Sequence, residues 1–255
     1  MPGQLILAGI LGLAVGSFLN VLIIRFDREG ARLTDRSLCP ACGRKLLWWE
    51  ILPVLSYLTL RGRCRSCRSP ISPQYPLVEI IVAIFWVFAW PDVLTSAIMS
   101  VLLLLMIIDI RAMLLPDIYV IWLSLLVLLK LWLSPELLSP ASFLGVLVGA
   151  GFLLLLWLIT RGRGIGFGDV KIMIPLGLLL GWSGAATLLL FAFIGGGLVG
   201  AALLAGKLAT LKTAVPFGPF LIVAALVLIV APGLAPAFLS FLVYNSFHAA
   251  WIHLA

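Results

Sequence analysis

The chain has 255 residues, of which 63% are hydrophobic and 11% are charged, and its formal net charge is +7. Soluble domains carry about 25% charged residues, so this composition excludes an ordinary water-soluble protein and indicates a chain that lives in lipid. Ten of the 17 basic residues and four acids lie between Arg25 and Arg68, a +6 segment without the interleaved aromatic residues of a stacking platform, so we expect no nucleic-acid partner.

Apolar runs predict an all-α polytopic membrane protein with about eight transmembrane helices. The first run lacks a basic start and a cleavage site, so it is a membrane helix rather than a signal peptide. Pro91 marks a helix boundary, and a last segment at 236–254 is ambiguous. The predicted spans are 4–24, 77–91, 94–110, 118–134, 142–160, 170–182, 185–206 and 217–233.

The positions of the basic residues predict the orientation of these helices, since such residues mark the cytoplasmic side. If the first helix runs inward, the inner segments hold the basic loop and further arginines and lysines. The outer turns hold Asp92 and Glu136. Lys130 is the exception, and it can snorkel from near its helix end. The segments 109–117 and 161–169 then share the cytoplasmic face.

The chain divides into three predicted parts. Residues 1–24 are the first transmembrane helix, 25–76 a small cytoplasmic loop domain, and 77–255 the transmembrane bundle. Membrane lipid is a partner, and the basic loop can contact anionic headgroups. The glycine-rich run at 193–206 is expected to pack closely against other helices. His248 and His253 are expected at the interface, without a metal or catalytic role.

All four cysteines lie in the predicted loop, as two Cys-x-x-Cys pairs separated by 21 residues: Cys39 with Cys42, and Cys64 with Cys67. Four thiolates in two such knuckles suit tetrahedral zinc, and nearby arginines help to keep them deprotonated. Disulfides, free thiols or one redox-active pair are the alternatives, and a reducing cytosol counts against disulfides. A closed site leaves no open coordination position, so the zinc is expected to be structural.

Two carboxylates lie at predicted helix ends on the cytoplasmic side. Asp109 closes the run SVLLLLMIID, and Asp169 opens the sixth helix in GFGDVK. Carboxylates in lipid are functional by default. When two of them hold one water, the ionised member takes a proton from the water and the protonated member donates to the scissile carbonyl. This pair therefore predicts aspartic-protease chemistry.

Other roles stay open for the same residues on the sequence alone. Asp169 suits a helix N-cap, and Asp109 suits an interfacial position paired with Arg111 or Arg25. Asp117 follows a proline and fits an N-cap better than catalysis.

Four residues are expected to support the two aspartates. Asp117 and Lys171 flank them in the sequence. Gly166 and Gly168 leave the backbone free to approach an extended peptide or to adopt positive φ.

Several stretches together resemble the bacterial type IV prepilin peptidases, the leader peptidases and N-methyltransferases of pilin and type II secretion systems. VGSFLNVLIIR resembles the opening motif of the family. The cysteine pairs, with LTLRGRCRSC and QYPLVE, resemble its metal-binding loop. DIRAMLLPD and GFGD resemble the segments with the two catalytic aspartates, which correspond to Asp109 and Asp169. VPFGPFL resembles a further family stretch. The combination is specific, although G-x-G-D alone is weak.

The resemblance implies an aspartic endopeptidase of the bacterial inner membrane with its active site facing the cytoplasm. Its substrate would be a pilin-like precursor with a short basic leader, cut after a glycine and before an apolar helix. It also implies methylation of the new amino terminus with S-adenosyl-L-methionine. The methyl-donor site is unassigned; Glu50 and Glu79 are candidates that also fit interfacial or helix-end positions. Gln74 stands where the family commonly has arginine, a departure that concerns methylation.

Two other functions compete with this hypothesis. A proton- or ion-coupled transporter would relay ions through intramembrane aspartates near the bilayer midplane. A non-enzymatic scaffold would need the cysteines and neither aspartate. Both acids lie at predicted helix ends, which favours the endopeptidase and leaves the transporter as the second hypothesis.

Overall fold

The computed structural model describes residues 2–26, 37–208, 210, 213, 215–238 and 240. Over these residues the chain is helical, with isolated bridges but no strand, which confirms the all-α class. Four helices are long and apolar enough to cross a membrane: Pro2–Phe26, Val93–Ala112, Pro140–Thr160 and Phe167–Ala205. The ambiguous segment 236–254 lies outside the described residues, apart from 236–238 and 240, and so do His248 and His253.

Residues 1–100 form the first of two compact units. Its long helices are α1 (Pro2–Phe26) and α3 (Gln74–Ala89). They approach closely because glycines face the contact: a Cβ built on Gly12 would lie 2.5 Å from the Cα of Ala83, where no side chain fits. The loop between them contains the short helix α2 (Leu55–Thr59).

Residues 101–255 form the second unit, which α4 enters from the first. A π-helical turn at Leu147–Gly151 joins α6 to α7, so the predicted span 142–160 is one nearly continuous helix. The remaining helices are α4 (Val93–Ala112), α5 (Asp117–Leu133), α6 (Pro140–Val146), α7 (Phe152–Thr160), α8 (Phe167–Ala205) and α9 (Gly218–Val230).

The long helix α8 is broken at Gly181, whose φ of 67° and ψ of −178° are not helical. Glycine is the residue that adopts this conformation without strain. The break separates an arm at 167–180 from an arm at 182–205, close to the boundary predicted between the spans 170–182 and 185–206. All eight predicted spans thus fall on helices.

Glycines also let α6 and α8 approach closely, because a Cβ on Gly177 would lie 2.6 Å from the carbonyl oxygen of Gly145. Among the described residues, the packing expected for the run at 193–206 is found at some of its glycines and not at others. Gly197 and Gly200 have no atom within 4 Å of an added Cβ.

Candidate active site

Asp109 lies in the last turn of α4, and only 6% of its surface is exposed. The backbone N–H of Gly218, at the start of α9, donates a hydrogen bond to its carboxylate. The side chain therefore points into the second unit rather than to the interface, unlike the interfacial alternative considered for it.

Asp169 lies in the first turn of α8 and is 5% exposed. Its Oδ2 accepts the backbone N–H of Gly166 at 3.2 Å. The N-cap itself is Gly166, so the interpretation of Asp169 as the cap is wrong. The carboxylate satisfies an N–H that the helix leaves without a partner, and the helix dipole favours its negative charge.

The two carboxylates converge on Gly218. A Cβ built on this residue would lie 2.5 Å from Oδ2 of Asp109 and 3.3 Å from Oδ1 of Asp169, which bounds the separation of these oxygens at about 6 Å. Two O–H···O hydrogen bonds in series span up to about 6 Å. One water can therefore bridge the two side chains, and they lie close enough to interact electrostatically.

Gly218 is a site residue that sequence reasoning missed. The segment VPFGPFL stood out only as a family resemblance, and nothing in its local pattern indicates a carboxylate neighbour. The signal was the position of the glycine at the predicted start of a helix, where a backbone N–H is left to donate. Its partner, Asp109, is more than a hundred positions away, and only the fold brings them together.

The glycines of GFGD act differently from the expectation of positive φ. Gly166 has an extended conformation, with φ −71° and ψ 144°, and Gly168 is not left-handed either. A Cβ on Gly168 would lie 3.0 Å from the Cβ of Leu115, in the connection from α4 to α5. Its small size therefore lets α8 start against the segment that follows Asp109.

Asp117 and Lys171 form an ion pair, with 2.6 Å between Oδ1 and Nζ. The pair joins the first residue of α5 to the first turns of α8, and Lys171 also lies over the ring of Phe167. Pro116 is the N-cap of α5, so the N-cap interpretation of Asp117 is wrong. The pair is exposed, and it links the segments that carry the two buried aspartates.

The four cysteines gather in the first unit, with their sulfur atoms all within 4.8 Å of one another. The sulfurs of Cys39 and Cys67 are 3.8 Å apart. Tetrahedral zinc with bonds of about 2.3 Å requires sulfurs about 3.8 Å apart. The donor set therefore fits a four-thiolate metal ion, and all four cysteines are free thiols rather than disulfides.

The two knuckles share one backbone design. In the first, Cys39 N–H bonds the carbonyl of Arg44 and Gly43 N–H bonds the carbonyl of Cys39; in the second, the same pattern joins Cys64 to Ser69 and Arg68 to Cys64. The fourth residue after the leading cysteine is left-handed in both, with φ of 69° at Gly43 and 58° at Arg68.

Hydrogen bonds favour the thiolate form at Cys39 and Cys67. At Cys42 the backbone N–H of Arg44 lowers the pKa, but the hydrogen-bonded Cys39 sulfur and burial outweigh it and raise the pKa to about 11. Backbone N–H groups of Cys42 and Ala41 lower the pKa of Cys39 to about 6. Arg44 donates to Cys64 and, at 2.7 Å, to the buried carboxylate of Glu50. The bond from Arg44 holds the pKa of Glu50 below its ordinary value. Glu50 thus holds the Arg44 side chain next to the sulfur of Cys64.

Comparisons with known proteins cover nearly the whole chain. Residues 10–93 match the bacterial peptidase A24 N-terminal domain, and residues 96–201 match the type IV leader peptidase family. Three similar proteins, each named prepilin leader peptidase/N-methyltransferase, come from Pseudomonas putida (38% identical, over 86% of this chain and 87% of that protein), Burkholderia pseudomallei strain 1026b (36%, 86% and 82%) and Aeromonas hydrophila (35%, 83% and 85%). No solved structure matches the chain.

Proposed function

This chain belongs to the type IV leader peptidase family, and from that membership we propose that it removes the short basic leader of pilin-like precursors and methylates the new amino terminus. Asp109 and Asp169 are the catalytic pair of the endopeptidase. The observation that carries the proposal is the convergence of these two buried carboxylates on Gly218.

In the proposed cleavage, one aspartate is ionised and the other protonated. The ionised carboxylate takes a proton from the water between them, and the resulting hydroxide attacks the scissile carbonyl carbon. The protonated carboxyl donates its proton to the carbonyl oxygen. When the C–N bond breaks, the leaving amine nitrogen takes the proton of one carboxyl group, and a hydroxyl of the tetrahedral intermediate gives its proton to the other carboxylate, so the pair again holds one proton. Asp117 and Lys171 form an exposed ion pair between the helices that flank this site.

The test is cleavage of a purified precursor in detergent by single variants. We expect Asp109→Asn and Asp169→Asn each to lower the rate by about 10²–10⁴-fold, the range for lost general acid–base catalysis. Asp92→Asn is the matched control, because Asp92 is an exposed acid remote from the pair in sequence. Cleavage at the wild-type rate by either active-site variant would contradict the proposed peptidase mechanism.

The bound metal is proposed to be structural zinc, held by Cys39, Cys42, Cys64 and Cys67. The fit of the sulfur positions to a tetrahedral ion supports it. Metal analysis of the purified protein should give one zinc per chain, and Cys64→Ser should lose it. S-adenosyl-L-methionine is the proposed methyl donor, and mass spectrometry of the cleaved product would detect the added methyl group.

We also propose eight membrane spans in the bacterial inner membrane, with the N-terminus outside and the aspartates facing the cytoplasm. The basic loop, the basic inner segments and the lipid-exposed apolar side chains support this arrangement. Cysteine accessibility to a membrane-impermeant reagent at each predicted turn would test the orientation. Family membership favours the peptidase over the transporter and scaffold hypotheses.

A further inference from the structure

The contact between α1 and α3 holds a buried carboxylate that meets no cation among the described residues. Glu79 is 5% exposed. Its Oε2 accepts the backbone N–H of Val54 at 2.7 Å, and Ser17 donates a second hydrogen bond to the carboxylate. Both donors are neutral, whereas buried charges in proteins are as a rule paired. An ionised Glu79 would therefore have no counter-charge among the described residues of the first unit.

An unpartnered acceptor lies in the same contact, one helical turn away. Asn20 is 2% exposed and donates from Nδ2 to the carbonyl of Tyr75 at 3.0 Å, while its Oδ1 has no hydrogen-bond partner within the described part of the chain. Asn20 and Ser17 are three residues apart on α1, and Tyr75 and Glu79 are four residues apart on α3. Residues at these spacings lie on one face of a helix, so all four residues belong to the same contact between α1 and α3. A buried acceptor without a donor is unfavourable.

The chain segment held by Glu79 is strained. Val54 has φ 60° and ψ −48°, and the N–H of Leu55 bonds the carbonyl of Pro53, which together define a γ-turn with positive φ. This turn is rare and strained, and a β-branched residue at positive φ is an outlier. Strain of this kind concentrates at functional sites. The strained turn is tied to the buried contact by the hydrogen bond from Val54 N–H to Glu79.

We infer that the contact formed by Ser17, Asn20 and Glu79 binds a cationic group of the methyl-transfer reaction, an ammonium or a sulfonium. The unsatisfied amide oxygen and the uncompensated carboxylate are both acceptors, so they select a positively charged donor or neighbour. The inference rests on the proposed methyl transfer, which brings together two such cations: the methyl donor and the amino terminus freed by cleavage. It assigns to this contact the site that the sequence left open.

The test measures binding by calorimetry to the full-length protein in detergent. The probes are S-adenosyl-L-methionine, its neutral thioether product S-adenosylhomocysteine, and a cleaved-product peptide with either a free or an acetylated amino terminus. Glu79→Gln should weaken binding of at least one cationic probe by about tenfold or more, the effect of removing one partner of a buried charge pair. If only S-adenosyl-L-methionine loses affinity, the bound group is its sulfonium. If both adenosyl compounds lose affinity, the bound group is the ammonium of the methyl donor. If only the peptide with a free amino terminus loses affinity, the bound group is that amino terminus.

Glu136→Gln is the control, because it removes the charge of an acid in an exposed turn of the other unit. Asn20→Ala tests the second acceptor, and it decides the matter if Glu79→Gln does not fold by its melting temperature and circular dichroism. Unchanged affinity for every probe in the folded variants overturns the inference. If the wild-type protein itself binds no probe and adds no methyl group, the proposed methyl transfer fails instead.

Discussion

The most direct perturbation of the proposed active site is Gly218→Ala. The new Cβ would lie 2.5 Å from Oδ2 and 3.1 Å from Cγ of Asp109, and 3.3 Å from Oδ1 of Asp169. Gly218 does not have positive φ, and alanine is favourable in helices. The substitution therefore acts through the volume of one methyl group placed between two carboxylates, and not through backbone strain.

The expected size of the effect follows from these distances. An ordinary contact to a Cβ is 3.4–4 Å, so the oxygen of Asp109 has to retreat by roughly 1 Å, and a misplacement of that size can lower a catalytic rate about 100-fold. A 100-fold loss corresponds to about 2.7 kcal/mol of transition-state stabilisation. The bond from Gly218 N–H to Asp109 is also disturbed, which adds to the loss.

The assay compares kcat and KM for cleavage of a precursor with methylation of a peptide that is already cleaved. We expect kcat to fall while methylation persists, because the fold is intact. Gly200→Ala is the matched control, since an added Cβ there meets no atom within 4 Å. Wild-type kcat in Gly218→Ala would refute the placement of both aspartates around this residue. Equal losses of both activities would point to a folding defect.

Three further predictions concern the cysteine loop and the exposed ion pair. Arg68→Gly should stabilise the second knuckle against chemical unfolding by up to about 1 kcal/mol, because a left-handed non-glycine residue costs about 1–2 kcal/mol; an unchanged or lower stability would contradict the shared design seen at Gly43. The pKa of Glu50 is lowered by Arg44, so its contribution to stability is complete above pH 4.5 and disappears as the pH falls through the lower folded pKa; unfolding curves of Glu50→Gln should lack this dependence, and an identical pH profile would disprove it. Lys171→Ala should change the free energy of unfolding by less than about 1 kcal/mol, because exposed ion pairs contribute little; a larger change would show that the pair is structural.

Much of the architecture can be predicted from the sequence, because helices that cross lipid require long apolar runs. Apolar runs bounded by Pro91 and by the Arg161–Gly166 connection predict helices that the structure contains. The spacing of the four cysteines predicts their cluster, since each Cys-x-x-Cys pair forms a knuckle by itself. Both features depend on residues that are close in the chain or on composition.

Features that depend on contacts between distant segments could not be predicted from the sequence. Nothing near Gly218 indicates that its N–H bonds Asp109. The partner of Asp117 is Lys171 on another helix, so a local N-cap was the natural but wrong interpretation. The glycines of the 193–206 run fit a packing pattern, yet a Cβ added to two of them would meet no atom of the described residues within 4 Å. Each error comes from assigning a local role where tertiary neighbours decide.

The break at Gly181 gives the arm of α8 that begins near Asp169 a limited reach. Residues 167–180 rise about 21 Å as a helix, whereas the hydrocarbon core is about 30 Å thick. If the Gly181 end of this arm lies at the outer boundary of the hydrocarbon core, Asp169 lies inside the core, below its inner boundary. The scissile bond then has to leave the aqueous phase and enter the membrane to be cleaved. A cationic leader would remain in water. The depth of Asp169 below the membrane surface would therefore set how many residues separate the last charge of the leader from the cleavage point.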